Sequence, residues 1–94
     1  MKMGTEILDE VFAVIEERRD RPKEGSYVSG LLVSDKVSEK IDEEALELIE
    51  AAQGGEKREI AHEAADLIFH TMVLLAAKGV KLEEVMEELR RRRR

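Results

Sequence analysis

Apolar residues recur along the first third of the chain at the three- and four-residue spacing that is typical of amphipathic α-helices. This spacing predicts a first helix from Thr5 to about Asp20, with Thr5 as its candidate N-cap. Pro22 lies in the polar stretch that follows and indicates a loop. A short apolar run then predicts a second helix over residues 27–33, for which Ser26 is the candidate cap.

Three further helices are predicted in the rest of the chain, and glycines separate them. The first follows the cap signal Ser34–Asp35 and runs to about Gln53, where Gly54–Gly55 stops it. The next covers residues 56–78 and has Gly79 at its C′ position. The last runs from Leu82 to about Arg92. No internal repeat and no strand pattern interrupts this series. The sequence therefore predicts an all-α fold, a helical bundle of about four to five helices in one domain over residues 1–94.

The long helix before Gly54 carries acidic residues on two different faces. Helical-wheel angles of about 100° per residue place five apolar side chains on one stripe: Val37, Ile41, Ala45, Leu48 and Ala52. Glu44 falls inside this stripe, and Lys40 and Glu47 lie on its shoulder, whereas Glu43 points away. The adjacent acids Glu43 and Glu44 are thus not equivalent, because only Glu44 is predicted to face inward.

The helix over residues 56–78 is apolar around almost its whole circumference, which is typical of a buried helix. One wedge is the exception and holds Glu59, Glu63, Asp66 and His70. A buried carboxylate without a compensating charge, proton or cation is strongly disfavoured. The wedge therefore requires a compensating group.

Two pairs of acids at i, i+3 spacing lie on these two helices, Glu44 with Glu47 and Glu63 with Asp66. Helices joined by a short turn usually pack as antiparallel neighbours, so the four carboxylates are predicted to converge. Oxygen ligands of this kind suit a hard cation, Mg²⁺ or Mn²⁺. The alternative is a solvated acidic face, and Lys40 at i, i+4 from Glu44 accounts for only one of the four charges.

Composition narrows the class of protein. The 94-residue chain has a net charge of −6, which argues against nucleic acid as a partner. It contains no cysteine, which excludes disulfides and thiolate metal sites. The first residues do not resemble a signal peptide, and no apolar run approaches the roughly 18 residues of a membrane span. A cytoplasmic protein that binds neither membrane nor nucleic acid is therefore expected.

The acidic motifs and the residues around them resemble a known family. The spacing E-x-x-E at Glu44–Glu47 followed by E-x-x-D at Glu63–Asp66 is similar to the signature of the all-α nucleotide pyrophosphohydrolases. Further matching stretches are Arg18–Arg19, Ser26–Tyr27, Lys40–Glu47 and Ala65–His70 with VLLAAKGVKLEEV behind it. With these, the chain resembles the phosphoribosyl-ATP pyrophosphatase family of histidine biosynthesis over about residues 7–91.

The resemblance implies a Mg²⁺-dependent hydrolysis of phosphoribosyl-ATP to phosphoribosyl-AMP and pyrophosphate, the second step of histidine biosynthesis. The expected metal ligands are Glu44, Glu47, Glu63 and Asp66. The expected catalytic residues are Glu44, as the group that positions or deprotonates the attacking water, and Lys40. The expected substrate contacts come from Arg18, Ser26, Tyr27 and Lys40.

Two histidines and the basic tail have simpler expected roles. His70 lies one turn after Asp66 and is expected either to orient that carboxylate or to be a satisfied core histidine. His62 points elsewhere on the helical wheel, and we assign it no role. The run Arg90–Arg94 is expected to follow the last helix, where positive charge suits the helix dipole.

The nearly all-apolar helix also predicts a homo-oligomer, a homodimer or a dimer of such pairs, whose interface completes the core. The residues expected to be buried against the partner are Phe69, Met72, Val73 and Ala76, and the loop over residues 18–27 would reach the partner's metal site. Two other functions stay open at this point: a house-cleaning nucleoside triphosphate pyrophosphohydrolase of the same fold, and a non-catalytic helical dimerisation module.

Overall fold

The computed structural model describes residues 4–93, which form five α-helices and, over that range, no β-strand. The helices are α1 (Glu6–Asp20), α2 (Tyr27–Ser34), α3 (Val37–Gly54), α4 (Lys57–Ala77) and α5 (Leu82–Arg92). The predicted all-α class is confirmed, and each predicted helix is present with ends that differ by three residues at most. The spacing of apolar residues and the positions of Gly and Pro were therefore sufficient to divide the chain.

Several helix ends follow the predicted chemistry. The Ser26 Oγ accepts a hydrogen bond of 3.2 Å from the Ser29 N–H and so caps α2. Gly55 ends α3 with φ 79°, and Gly79 follows α4 with φ 71°, a left-handed conformation that favours glycine. Of these three positions, Gly55 lies in the turn that lets α3 and α4 pack side by side.

Of two other predicted caps, Thr5 is confirmed in position only, and the Ser34–Asp35 cap is wrong. Thr5 occupies the N-cap position of α1, but its side chain makes no capping hydrogen bond. Ser34 and Asp35 do not start α3, because Ser34 is the last residue of α2 and Asp35 ends that helix with φ 56°. Asp tolerates this left-handed conformation better than most residues, since its short polar side chain can bond locally. The same residue types that favour an N-cap therefore served here as a C-cap.

The hydrophobic core joins α1, α2 and the C-terminal half of α4, together with the first residues of α3 and α5. Its buried members are Phe12, Ile15, Val28, Leu31, Val37, Met72, Val73, Ala76 and Leu82. The most extensive helix pairing is between α3 and α4, which form an antiparallel hairpin. The N-terminal half of α4 lies outside the core, so this helix is not buried on all sides within one chain, and Ala61, Ala65 and Ile68 are exposed.

Among residues 4–93, α4 is the one helix that is long and apolar enough to cross a membrane, judged by length and composition alone. This differs from the expectation drawn from the sequence. The core helix of a soluble protein passes the same test. Packing of α1 and α2 against the C-terminal half of α4 accounts for the apolar character of that half.

Two hydrogen bonds of the Ser29 side chain stabilise the loop between α1 and α2. Its buried Oγ accepts a hydrogen bond of 3.0 Å from the Lys23 N–H and donates one of 3.4 Å to the Arg18 carbonyl oxygen. The end of α1, the loop and the start of α2 are thereby joined through one hydroxyl. This arrangement fixes the position of Ser26 and Tyr27, two of the predicted substrate contacts.

We expect Ser29→Ala to lower the free energy of unfolding by about 1–2 kcal/mol, because the Lys23 N–H and the Arg18 carbonyl lose their partner. Urea denaturation followed by circular dichroism measures this change. Ser38→Ala is the matched control, since Ser38 is an exposed helical serine of α3. Equal stability of the two variants would show that the Ser29 hydrogen bonds contribute nothing.

Candidate metal and nucleotide site

Acidic side chains of α3 and α4 converge across the hairpin. Glu44, Glu47 and Glu63 each offer one oxygen, and these three atoms lie within 4.8 Å of one another. Asp66 forms a second group of the same size with Glu63 and His62. All four predicted acids therefore lie close together, and Glu63 belongs to both groups. We call Glu44, Glu47, Glu63 and Asp66 the acidic cluster.

Two carboxylate oxygens of the acidic cluster are buried without a partner. Glu44 is only 5% exposed, and its Oε2 makes no hydrogen bond within the described residues. The Glu63 Oε1 on the facing helix is also a buried atom that makes no hydrogen bond within the described residues. An unpaired buried carboxylate oxygen is strongly disfavoured. A hard cation that takes oxygen ligands, such as Mg²⁺ or Mn²⁺, would satisfy both atoms, so this donor set fits the expected metal.

The environment of Glu44 resists its ionisation. Burial is the main cause that raises its pKa, and the nearby charges of Glu47 and Asp66 raise it further, while Lys40 acts in the opposite direction. Glu43, the preceding residue, is exposed to solvent. The predicted difference between these adjacent acids is confirmed.

Lys40 lies at the edge of the acidic cluster. Its Nζ is 3.6 Å from the Glu44 Oε1 and 3.4 Å from the Glu43 Oε1. Partial burial disfavours the charged ammonium, but the neighbouring Tyr27, Glu43 and Glu44 outweigh it and raise the pKa of Lys40. Lys40 is therefore a charged group at neutral pH, as a phosphate contact requires.

A groove of about 730 Å³ opens between α2 and α3, and Lys40 connects it to the acidic cluster. Ser26, Tyr27 and Lys40, three of the four predicted substrate contacts, line this α2–α3 groove. Lys36 also lines it and was not singled out from the sequence, where an exposed lysine carries no distinguishing signal. The groove thus combines two cations with polar side chains next to clustered carboxylates.

A model of the phosphoribosyl-ATP pyrophosphohydrolase family matches residues 8–93. The chain belongs to this family. The resemblance seen in the sequence is confirmed, and with it the expected class of enzyme, a hydrolase.

Similar proteins span nearly the whole chain. A phosphoribosyl-ATP pyrophosphatase of Methanocella arvoryzae is 54% identical over 95% of this chain and 98% of that protein. One of Geotalea daltonii is 45% identical over 96% of this chain and 87% of that protein. A histidine biosynthesis bifunctional protein of Thermoanaerobacter pseudethanolicus is 45% identical over 90% of this chain but only 40% of its own length. The fold described here therefore corresponds to one part of that bifunctional relative.

Arg18 and Arg19, which contribute to the family resemblance, lie in different surroundings. Arg19 donates a hydrogen bond of 2.9 Å from its Nη1 to the Ala76 carbonyl oxygen, and so connects the end of α1 to the end of α4. Arg18 is half-buried at the end of α1 and does not line the α2–α3 groove. Of the predicted substrate contacts, Arg18 is the one that the structure does not bring to the others.

His62 and His70 lie in different surroundings. The expectation that His62 points away is wrong, because its Nε2 is 3.4 Å from the Asp66 Oδ2. His70 is buried, and its Nδ1 is 2.8 Å from the Asp66 carbonyl oxygen rather than from the carboxylate. Of the two predicted roles for His70, the satisfied core histidine is the one that these contacts match.

The C-terminal arginines pair with acids of their own helix. Arg90 contacts Glu87 at 2.8 Å, and Arg91 and Arg92 contact Glu88. These contacts have the i, i+3 and i, i+4 spacing of exposed helix pairs. Arg90–Arg92 therefore continue α5, as expected, and Arg94 lies outside the described residues.

Proposed function

We propose that this protein hydrolyses phosphoribosyl-ATP to phosphoribosyl-AMP and pyrophosphate in a Mg²⁺-dependent reaction, the second step of histidine biosynthesis, as a soluble enzyme of the cytoplasm. The observation that carries the proposal is the pair of buried, unpartnered oxygens, Glu44 Oε2 and Glu63 Oε1, on two facing helices. Membership of the phosphoribosyl-ATP pyrophosphohydrolase family supports the choice of substrate.

The acidic cluster would hold the metal. Glu44 and Glu63 offer their unpartnered oxygens, and Glu47 and Asp66 complete the set. When bound, Mg²⁺ or Mn²⁺ supplies positive charge against the phosphates and lowers the pKa of bound water. Without that charge, four carboxylates would repel a polyanionic substrate.

Glu44 is the proposed base. With the Oε2 offered to the metal, the Oε1, 3.6 Å from the Lys40 Nζ, is the atom left to orient or deprotonate the attacking water. Lys40 stays charged beside it and can stabilise negative charge that develops on the phosphate. This pairing supports the catalytic roles proposed for Glu44 and Lys40.

Ser26 and Tyr27 position the rest of the substrate. The Ser26 Oγ accepts the N–H of Ser29, so its own hydroxyl proton remains available to donate to a phosphate oxygen. Tyr27 lines the same groove. Arg18 does not line this groove, so we propose no substrate contact for it.

We also propose a homodimer that is formed by the α3–α4 hairpin, with an interface different from the one expected first. Met72, Val73 and Ala76 are buried within their own chain, so they cannot contact a partner. The large exposed apolar residues of the hairpin are Leu46, Ile49 and Ile68. Tyr27 contacts His70 of its own chain, so the loop over residues 18–27 belongs to the site of the same chain.

A nucleotide panel tests the proposed function. We expect Mg²⁺-dependent release of pyrophosphate from phosphoribosyl-ATP, at least about a hundredfold faster in kcat/KM than from ATP, dATP or dCTP, since a built site rejects ligands that leave its polar groups unpaired. Chelation of the metal should abolish release. Faster cleavage of a common nucleoside triphosphate would identify a house-cleaning hydrolase instead, and no cleavage of any nucleotide would favour a non-catalytic module.

A further inference from the structure

Tyr27 is held in a fixed orientation although it is 53% exposed. Its ring lies nearly parallel to that of Phe69, with centroids 6.4 Å apart, and meets the His70 ring edge-on at 5.7 Å. Its hydroxyl is 2.8 Å from the His70 Nε2. A side chain that lines the α2–α3 groove is therefore anchored to α4, the helix that carries Glu63 and Asp66.

The direction of the Tyr27–His70 hydrogen bond follows from the other ring nitrogen. The His70 Nδ1 is 2.8 Å from the Asp66 carbonyl oxygen, and a carbonyl can only accept. The Nδ1 must therefore carry the proton, and in the neutral imidazole the Nε2 is an acceptor. In that tautomer the Tyr27 hydroxyl, 2.8 Å from the Nε2, is the donor.

A phenol has one proton, so the Tyr27 hydroxyl presents only lone pairs to the groove. An acceptor of this kind binds an O–H or N–H group and repels a phosphate oxygen. Lys40 and Ser26, which line the same groove, supply donors instead. Ser26 and Lys40 thus offer donors for phosphate oxygens, and the Tyr27 hydroxyl offers an acceptor for a neutral donor group; the carboxylates of Glu39 and Glu43 also line the groove.

We infer that Tyr27 determines specificity by accepting a hydrogen bond from a sugar hydroxyl or amino group of the nucleotide, and that His70 is the positioning residue that keeps its hydroxyl proton turned away from the groove. The inference rests on the proposed function, because it takes the α2–α3 groove as the nucleotide site. It assigns the nucleoside part to Tyr27 and the phosphates to Lys40.

Calorimetric titration in the presence of Mg²⁺ tests the assignment with two ligands, phosphoribosyl-AMP and inorganic pyrophosphate. We expect Tyr27→Phe to weaken binding of phosphoribosyl-AMP about five- to tenfold, the equivalent of one net hydrogen bond, and to leave pyrophosphate binding unchanged. Lys40→Met is the opposite control and should weaken binding of pyrophosphate more than binding of phosphoribosyl-AMP. For turnover of phosphoribosyl-ATP, Tyr27→Phe should raise KM with little change in kcat.

Three results would overturn the inference. Equal weakening of both ligands by Tyr27→Phe would show that Tyr27 donates to phosphate, and no weakening of either would show a packing contact only. Ring ¹⁵N NMR spectra report which nitrogen of His70 carries the proton of the neutral ring. A proton on the Nε2 would show that the hydrogen bond to Tyr27 runs in the opposite direction. The variant His62→Gln assigns the signals, since the chain has two histidines. Failure of the wild-type protein to bind either ligand would instead overturn the proposed function.

Discussion

Glu44→Gln is expected to abolish turnover and, at the same time, to stabilise the metal-free protein. A glutamine at this position cannot act as a base and is a poor ligand for a hard cation. Loss of both roles should lower kcat at least about a thousandfold, a typical effect of removing a group that acts in the transition state. Pyrophosphate release from phosphoribosyl-ATP measures this loss.

The gain in stability has its origin in the burial of Glu44. The folded state raises the pKa of this carboxyl above its unfolded value, mainly through burial and then through Glu47 and Asp66. The folded protein therefore binds the Glu44 proton more tightly than the unfolded chain. This contribution to stability is fully present below the unfolded pKa and is lost as the pH rises through the raised folded pKa. In the metal-free folded protein the ionised form of Glu44 is therefore disfavoured.

Glutamine removes that charge, so metal-free Glu44→Gln should exceed the wild-type free energy of unfolding by about 1–3 kcal/mol at neutral pH. The difference should shrink as the pH falls and the wild-type carboxyl becomes protonated. Mg²⁺ should stabilise the wild-type protein much more than the variant, because binding to the folded state alone adds to its stability. Denaturant titrations at several pH values, with and without Mg²⁺, measure all three quantities.

Glu43→Gln is the matched control for this prediction. Glu43 precedes Glu44 in the same helix and also contacts Lys40, but it is exposed to solvent. We expect its substitution to retain most of the activity and to change stability by less than about 0.5 kcal/mol. Equal losses of activity at the two positions, or a Glu44→Gln protein less stable than wild type without metal, would contradict the assignment of Glu44 as a buried metal ligand.

The sequence was sufficient to place Glu44 inward and Glu43 outward, because a rotation of 100° per residue and one apolar stripe fix both directions. The convergence of the two acidic pairs also followed from local information, since the glycine pair requires a tight turn between α3 and α4. Local patterns can therefore predict a site whose parts lie on consecutive helices.

Other features depend on contacts between distant parts of the chain. Tyr27 and His70 are 43 positions apart, and nothing in either segment indicates that their side chains meet. Asp35 has the residue type of an N-cap, and only the path between α2 and α3 makes it a left-handed C-cap instead. For α4, the apolar circumference indicated that partners exist but not which face each partner covers.

Ile68→Glu is expected to convert a dimeric wild-type protein into a monomer with little activity. Ile68 of α4 is 49% exposed and Ile49 of α3 is 55% exposed. Each lies two residues from an acid of the cluster, Asp66 or Glu47, and is therefore turned by about 200° from it around its helix. The apolar surface thus lies on the side of the hairpin opposite the carboxylates, so a partner can cover it without blocking the metal.

This surface adjoins the exposed N-terminal half of α4, and a soluble protein rarely leaves such a patch uncovered. Two-fold pairing of the hairpin with its copy would bury it and make a four-helix core. A charge at Ile68 would then lie unpaired in the centre of that core, which is strongly disfavoured. Because α3 and α4 carry every member of the acidic cluster, separation of the chains should also loosen the cluster, and a displacement of about 1 Å can lower activity a hundredfold.

Sedimentation equilibrium at low micromolar concentration should give twice the chain mass for wild type and the single-chain mass for Ile68→Glu. Val14→Glu is the matched control, because Val14 of α1 is 52% exposed and lies outside the hairpin. That variant should remain dimeric and active, which separates the effect of a charge at the proposed interface from the effect of an added charge elsewhere on the surface. Val73→Glu is unsuitable as a probe, since Val73 is fully buried within its own chain and its substitution would unfold the core. A wild-type protein that sediments as an active monomer would contradict the proposed interface, and the exposed face of α4 would then need another partner.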